Sequence, residues 1–245
     1  MQSPYANSAV LSDLELTGRT SSHVQQCEQP RCTLHCDAFL ALQAMSRAAL
    51  ADGIEIVPVS SFRSFEQQLW IWNAKYQGER ILRGRDNRVL DSAALSPAER
   101  VAAILVWSAL PGASRHHWGS DCDLVDRRTA PAQGPIDLLD VDFAPGGRYA
   151  ALNDWLGERA ADFGFFRPYD QDRGGVLPEP WHLSFAPVAG PALAAMSADL
   201  LRSALAQAPL QGAEIVAQQL PQLYERYVVA VAPVPPAARY AVLRQ

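Results

Sequence analysis

Lysine is almost missing from this 245-residue chain: of 21 basic residues, Lys75 is the single lysine and the rest are arginine. That skew reads as genome composition rather than as a ligand preference. No run of basic residues forms an electrostatic footprint and the net charge is −5, so no nucleic-acid partner is expected. No apolar run approaches the roughly 20 residues that a spanning helix needs, so no membrane span is expected either. The opening MQSPYANSAVLSDLELTGRT has no basic start and no apolar stretch, and Pro4 interrupts it. It does not read as a secretory signal. The expected compartment is therefore the cytoplasm, with the periplasm as the alternative if the native N-terminus differs. There is no Gly-rich phosphate loop and no internal repeat.

Cysteine is also scarce, at four residues, and no C-x-x-C knuckle occurs. Three cysteines fall in CEQPRCTLHC (Cys27, Cys32, Cys36). With His35 they could hold a small metal site, but the spacing is not that of a strong one. The plainer reading is that Cys32, His35 and Cys36 open a helix through DAFLALQAMSRAALADG. What is plentiful is ordinary globular material: 49% of residues are hydrophobic and 19% charged, enough for a sizeable core.

Local signals divide the chain. Residues 1–32 read as an extended, loosely structured lead-in. Leu34, Phe39, Leu42, Met45 and Leu50 recur near helical spacing, which predicts a helix over about 33–51. IEIVPVSS reads as a strand, and Pro58 within it argues for an edge position or irregular pairing. Ser64 and Gln67 form a capping-box signal, so a helix starts just after Arg63, leaving that long cation on a strand-to-helix turn. RILRGRDNRVLDSAAL reads as a loop. Ser96, Pro97 and Glu99 announce a second helix, expected to run to Pro111-Gly112. CDLVD reads as a strand, YAALNDWLGERAADFG as a helix ending at Gly164, and WHLSF as a short strand. From about Pro191 the chain turns helical, and the tail APVPPAARYAVLRQ is too rich in proline for a long helix. Helices and strands mix without regular alternation, which predicts an α+β fold with helices around a small antiparallel sheet. The expected organisation is a lead-in (1–32), a core domain (33–190) and a helical extension packed on it (191–245).

The chemistry concentrates in SRHHWGSDCD, Ser114 to Asp123. Only five histidines occur in the chain. Adjacent side chains diverge, so one of His116 and His117 is a ligand candidate and the other packs. A strand starting near Asp121 puts Asp121 and Asp123 on one face and Cys122 on the other. If WHLSF pairs with CDLVD, His182 approaches Asp123. Glu179 lies between Pro178 and Pro180, off any regular ladder, as a base beside a metal would.

Three ordered blocks resemble the LAS metallopeptidases, in particular the VanY-like D-alanyl-D-alanine carboxypeptidases. They are VSSFRSFEQQ, then S-x-H-x-x-G with an aspartate seven residues after the histidine, then E-x-W-H. The resemblance spans roughly residues 38–187. It implies a hedgehog/D-Ala-D-Ala peptidase-like fold with a zinc ion (Zn2+) held by His116, Asp123 and His182. It implies Glu179 as base, Arg63 at the substrate carbonyl or its oxyanion, and Gln68 and Ser114 at the substrate's terminal end. His117 then has no ligand role. The implied activity is hydrolysis next to a C-terminal D-amino acid in peptides derived from peptidoglycan, such as a stem peptide. The alternatives are an endopeptidase of the same fold and a non-catalytic, zinc-containing peptide-binding module. The chain departs from the pattern at three places. Ser61 replaces a usual glycine and Phe62 a usual tyrosine. Asp121 stands where a small residue is usual; it either sits near the metal and adds negative charge or, the expectation here, turns away and bonds the backbone.

Overall fold

A computed structural model describes residues 10–134 and 136–235. Residues 1–9 and 236–245, which include parts of the expected lead-in and tail, lie outside the described residues. Segment 10–32 is more ordered than a loose lead-in. A short helix α1 (Asp13–Leu16) is closed by a Ser12–Glu15 capping box, and Leu16 is buried. Strands β1 (Gln25–Glu28) and β2 (Arg31–Leu34) form a hairpin with Cys27 opposite Cys32. Cys32 therefore lies in a strand, not in the opening turn of a helix. Helix α2 (Cys36–Ala51) starts only after His35, whose ring accepts from the Asp37 backbone N–H. Among the described residues, the cysteine cluster brings no three ligand atoms together as a metal site would require.

Strand β3 (Ile56–Ser60) carries Pro58, and its register slips between Pro58 and Ser60. It is an edge strand, as a mid-strand proline demands. Helix α3 (Phe65–Gln77) has both halves of its Ser64–Gln67 capping box, a feature worth about 1 kcal/mol. The stretch read as a loop contains a small hairpin, β4 (Leu82–Arg83) with β5 (Val89–Leu90). Helix α4 (Pro97–Leu105) starts at its predicted box but stops at Leu105, well before Pro111.

A 3-10 turn, Arg115–Trp118, leads into β6 (Asp121–Asp126). After a short helix α5 (Asp140–Phe143) come α6 (Ala150–Arg159), β7 (Phe165–Phe166) and β8 (His182–Phe185). The four-stranded antiparallel sheet has the order β3-β6-β8-β7. Helix α7 (Ala186–Ala195) follows β8 directly, so the boundary expected at 190/191 falls inside it. Helices α8 (Ala198–Leu205) and α9 (Ala213–Tyr224) complete the described chain with a closing π turn.

The fold class is α+β, with two apolar clusters. One lies between the sheet and helices α2 and α6, and takes Leu42, Met45, Cys122, Leu124, Leu152 and Leu183. The other joins Trp72, Ile104 and Trp118 to Leu201, Val216 and Leu220 of the C-terminal helices. Alternation along β6 and β8 sends Cys122, Leu124 and Leu183 into the first core. The same alternation turns Asp121, Asp123, His182 and Ser184 to the opposite side.

Candidate active site

The two central strands place the key residues by register. Asp123 of β6 is the cross-strand partner of His182, the first residue of β8. His182 Nδ1 lies 3.1 Å from Asp123 Oδ1 and 3.3 Å from Glu179 Oε2. His116 enters from the 3-10 turn, with Nε2 3.5 Å from Asp123 Oδ2. Ligand atoms of His116, Asp123 and His182 all lie within 4.8 Å of one another, and all three residues are buried.

Each imidazole is fixed from behind. His116 Nδ1 donates to the Ser61 carbonyl at 2.9 Å, which leaves Nε2 facing the cluster. His182 Nε2 donates to Asp121 Oδ1 at 2.9 Å, which leaves Nδ1 facing it. Such outward hydrogen bonds set the tautomer of metal-binding histidines. Asp121 thus bonds a histidine ring rather than the backbone as expected. It also accepts from Arg115 Nε at 2.9 Å, from Ser184 Oγ at 3.0 Å and from Ser120 Oγ. Arg115 is held between the Trp118 and Phe166 rings, 4.7 Å and 5.8 Å from their centroids. Neither Arg115 nor Ser184 is legible as a site residue in the sequence, because the contacts that recruit them cross the sheet.

The donor set suits a cation. Asp123 Oδ1 is buried and has no hydrogen-bond partner, since its approach to His182 is close but poorly aligned. Burial pushes His116 down to about 4, against Asp123, so it is neutral and able to ligate. Burial would raise Asp123, but His116, His182 and Arg63 bring it down to about 2. Burial opposes a charge on His182, yet Asp121, Asp123 and Glu179 together raise its pKa well above the ordinary value. Burial raises Glu179, against the pull of His182, as suits a group that must accept and return a proton.

Arg63 follows β3 and lines the same cleft as His116, Asp123, Glu179 and His182, a space of about 540 Å³. Its Nη1 donates to Gln68 Oε1 at 2.7 Å and its Nη2 to Ser60 Oγ at 3.1 Å. Gln68 is fully buried and its Nε2 donates to the Ala109 carbonyl at 2.7 Å. Gln68 therefore sits beneath Arg63 and away from the cleft wall, whereas Ser114 lines the cleft. His117 turns away, with Nδ1 donating to the Arg63 carbonyl at 2.6 Å and Nε2 accepting from the Gly112 N–H at 3.0 Å. Gly119 has φ +65, and a Cβ there would meet Val24 at 2.3 Å and the His35 backbone at 2.9 Å. Only glycine fits that close crossing of the hairpin and the histidine turn. Trp181 is buried against Phe143, and Tyr169, missed in the sequence, packs edge-on to the His182 ring at 5.0 Å. Cys122 is buried on the far face of β6.

The VanY family, described as D-alanyl-D-alanine carboxypeptidase, matches residues 31–188. An uncharacterized protein of Haemophilus influenzae is 31% identical over 122 residues, 49% of this chain and 93% of that one. A D-alanyl-D-alanine carboxypeptidase of Enterococcus faecalis is 29% identical over 150 residues, 59% of this chain and 45% of that one. A solved structure, VanYB in complex with D-alanine-D-alanine, is 20% identical and covers 80% of this chain and 88% of that one, with a TM-score of 0.49. The family match, over more than half of the chain, defines the class as that of the peptidases. Within it, the chain belongs to the VanY family of D-alanyl-D-alanine carboxypeptidases.

Proposed function

We propose that this chain is a zinc-dependent carboxypeptidase that removes a C-terminal D-amino acid from peptides derived from peptidoglycan. One observation carries the reading: two imidazole nitrogens and one carboxylate oxygen converge within 4.8 Å, with an unpartnered buried oxygen among them. Two nitrogens and one oxygen form a common ligand set for catalytic zinc. His116, Asp123 and His182 would hold the ion, which supplies a Lewis acid that acidifies water and polarises the scissile carbonyl.

The remaining roles belong to the protein's own groups. Glu179, held against His182 Nδ1, accepts the proton of the attacking water and returns it to the leaving amine. Arg63, anchored by Gln68 and Ser60, presents its guanidinium to the oxygen that gains charge in the tetrahedral state. Gln68 acts through Arg63. Ser114, on the cleft wall, is a substrate-contact candidate. Asp121 and Ser61 hold the two imidazoles in the orientation that ligation needs.

The test is metal content together with D-alanine release from a stem pentapeptide ending in D-Ala-D-Ala. The expected result is one zinc per chain, release by the wild type, and a loss of about 100-fold or more in Glu179→Ala. Protein that binds zinc but cuts no peptide would make it a binding module. Products from an internal bond alone would make it an endopeptidase. Absence of zinc would overturn the ligand set.

A further inference from the structure

The chain's single lysine lies inside the cleft. Lys75 is in the last turn of α3, seven residues after Gln68 and four after Ile71, so the three share a helix face. Ile71 and Lys75 line the cleft with Arg63, His116 and Glu179. Lys75 Nζ donates to Ser108 Oγ at 2.6 Å. Among the described residues it forms no ion pair. Burial, with Arg80 and Arg63 adding to it and Glu179 opposing, pulls its pKa down to about 8. At neutral pH it is therefore a charged ammonium, short of water, whose only side-chain hydrogen bond among the described residues is to a neutral hydroxyl. An ammonium so placed is stabilised by an anion entering the cleft.

Carboxypeptidase chemistry brings such an anion. A substrate cut at its last peptide bond carries a free α-carboxylate one residue beyond the scissile carbonyl. Arg63 is committed to the carbonyl side and Gln68 is buried beneath it, while Ser114 on the cleft wall offers a hydroxyl but no charge, so a cation for that carboxylate has to come from elsewhere in the cleft. Ser108 adds a hydroxyl beside the ammonium, the second donor a two-oxygen acceptor needs.

We propose that Lys75, with Ser108, holds the free C-terminal carboxylate of the substrate and so makes this enzyme select chain ends. The proposal rests on the carboxypeptidase reading and adds to it the group that reads the terminus. Lys75 is a specificity residue and takes no part in the bond-breaking step.

The experiment compares a pentapeptide ending in D-Ala-D-Ala as free acid and as C-terminal amide, for wild type, Lys75→Met and Lys75→Arg. Melting temperature and zinc content confirm that each variant is folded and loaded. The wild type is expected to prefer the acid. Lys75→Met raises KM for the acid about 10- to 100-fold, leaves the amide's KM within a few-fold, and leaves kcat for both within a few-fold. Lys75→Arg keeps most of the preference. A Lys75→Met enzyme with the wild-type acid-to-amide ratio overturns the proposal, and so does an equal loss on both peptides. If the wild type cuts neither peptide, the carboxypeptidase reading fails separately, and calorimetric binding of D-Ala-D-Ala and its amide decides the subsite. Discrimination lost in Lys75→Met then supports it. Discrimination kept, or no binding at all, overturns it.

Discussion

Replacing Asp121 with alanine removes the acceptor of several buried groups at once. Arg115 Nε and His182 Nε2 both lie 2.9 Å from Oδ1, and Ser184 Oγ lies 3.0 Å from Oδ2. The side chains of Arg115 and Asp121 are 4% and 0% exposed, so water cannot take the carboxylate's place. Breaking one partner from a buried ion pair costs about 3–5 kcal/mol, because the other charge is left uncompensated. At about 2–4 °C per kcal/mol for a chain of this size, the melting temperature should fall by roughly 6–20 °C. His182 also loses the group that fixes its ring, so zinc affinity should fall about 10- to 100-fold. Urea unfolding of the metal-free protein isolates the first effect from the contribution of bound metal. Chelator competition on the folded protein reads the second. Adding Arg115→Met to Asp121→Ala should restore part of the lost stability, because it removes the stranded cation. A metal-free Asp121→Ala protein within about 1 kcal/mol of wild type would refute the buried-pair argument. Unchanged zinc affinity would refute the bracing argument.

Three further outcomes can be checked. Lys75, held at about 8 by burial and by Arg80 and Arg63, loses its proton as pH rises through that value. On the free-acid pentapeptide kcat/KM should therefore fall above pH 8, and the amide should show no such fall; a flat acid profile from pH 7 to 9.5 contradicts this. Cys36 is exposed while Cys27, Cys32 and Cys122 are buried, and burial pushes the Cys32 thiol up to about 12. Iodoacetamide on the native protein should add one label, at Cys36, by mass spectrometry, with the other three labelled only after unfolding. Leu201 of α8 is fully buried in the core shared with Trp72 and Ile104. Leu201→Ala should cost about 2–5 kcal/mol and lower a single unfolding transition; a separate early transition would mean that the C-terminal helices melt independently.

What could be read from the sequence was what is written locally. The Ser64–Gln67 and Ser96–Glu99 boxes declared their helices because both halves of each cap lie within four residues. Proline at position 58 marked an edge strand because a missing N–H is tolerated there. Two-residue periodicity put Asp121 and Asp123 on one face, and the structure has both carboxylates against the His182 ring. The pairing of WHLSF with CDLVD also followed. The β1–β2 hairpin was read as part of a helix and lead-in, because Leu34 fits a helical stripe and nothing nearby shows that Cys27 will face Cys32. The work of Asp121 was misread because its partners, Arg115, His182 and Ser184, meet it only across strands and turns. Gln68 looked like a cleft residue from its block, whereas the helix turns it under Arg63. The uniqueness of Lys75 was visible from the start, but only the folded cleft gives that fact a meaning.

The order of the sheet sets when the proposed site is complete. Its last-made strand, β8, is not added to the rim but inserted between β6 and β7. The strand that completes the sheet also delivers His182, opposite Asp123. A nascent chain short of that point holds His116 and Asp123 without their third neighbour. A one-residue slip of β8 would turn His182 to the apolar side, since strand side chains alternate. The cluster of His116, Asp123 and His182 is therefore a proofreading mark for its own assembly: it exists only in molecules whose central strands have found their correct alignment.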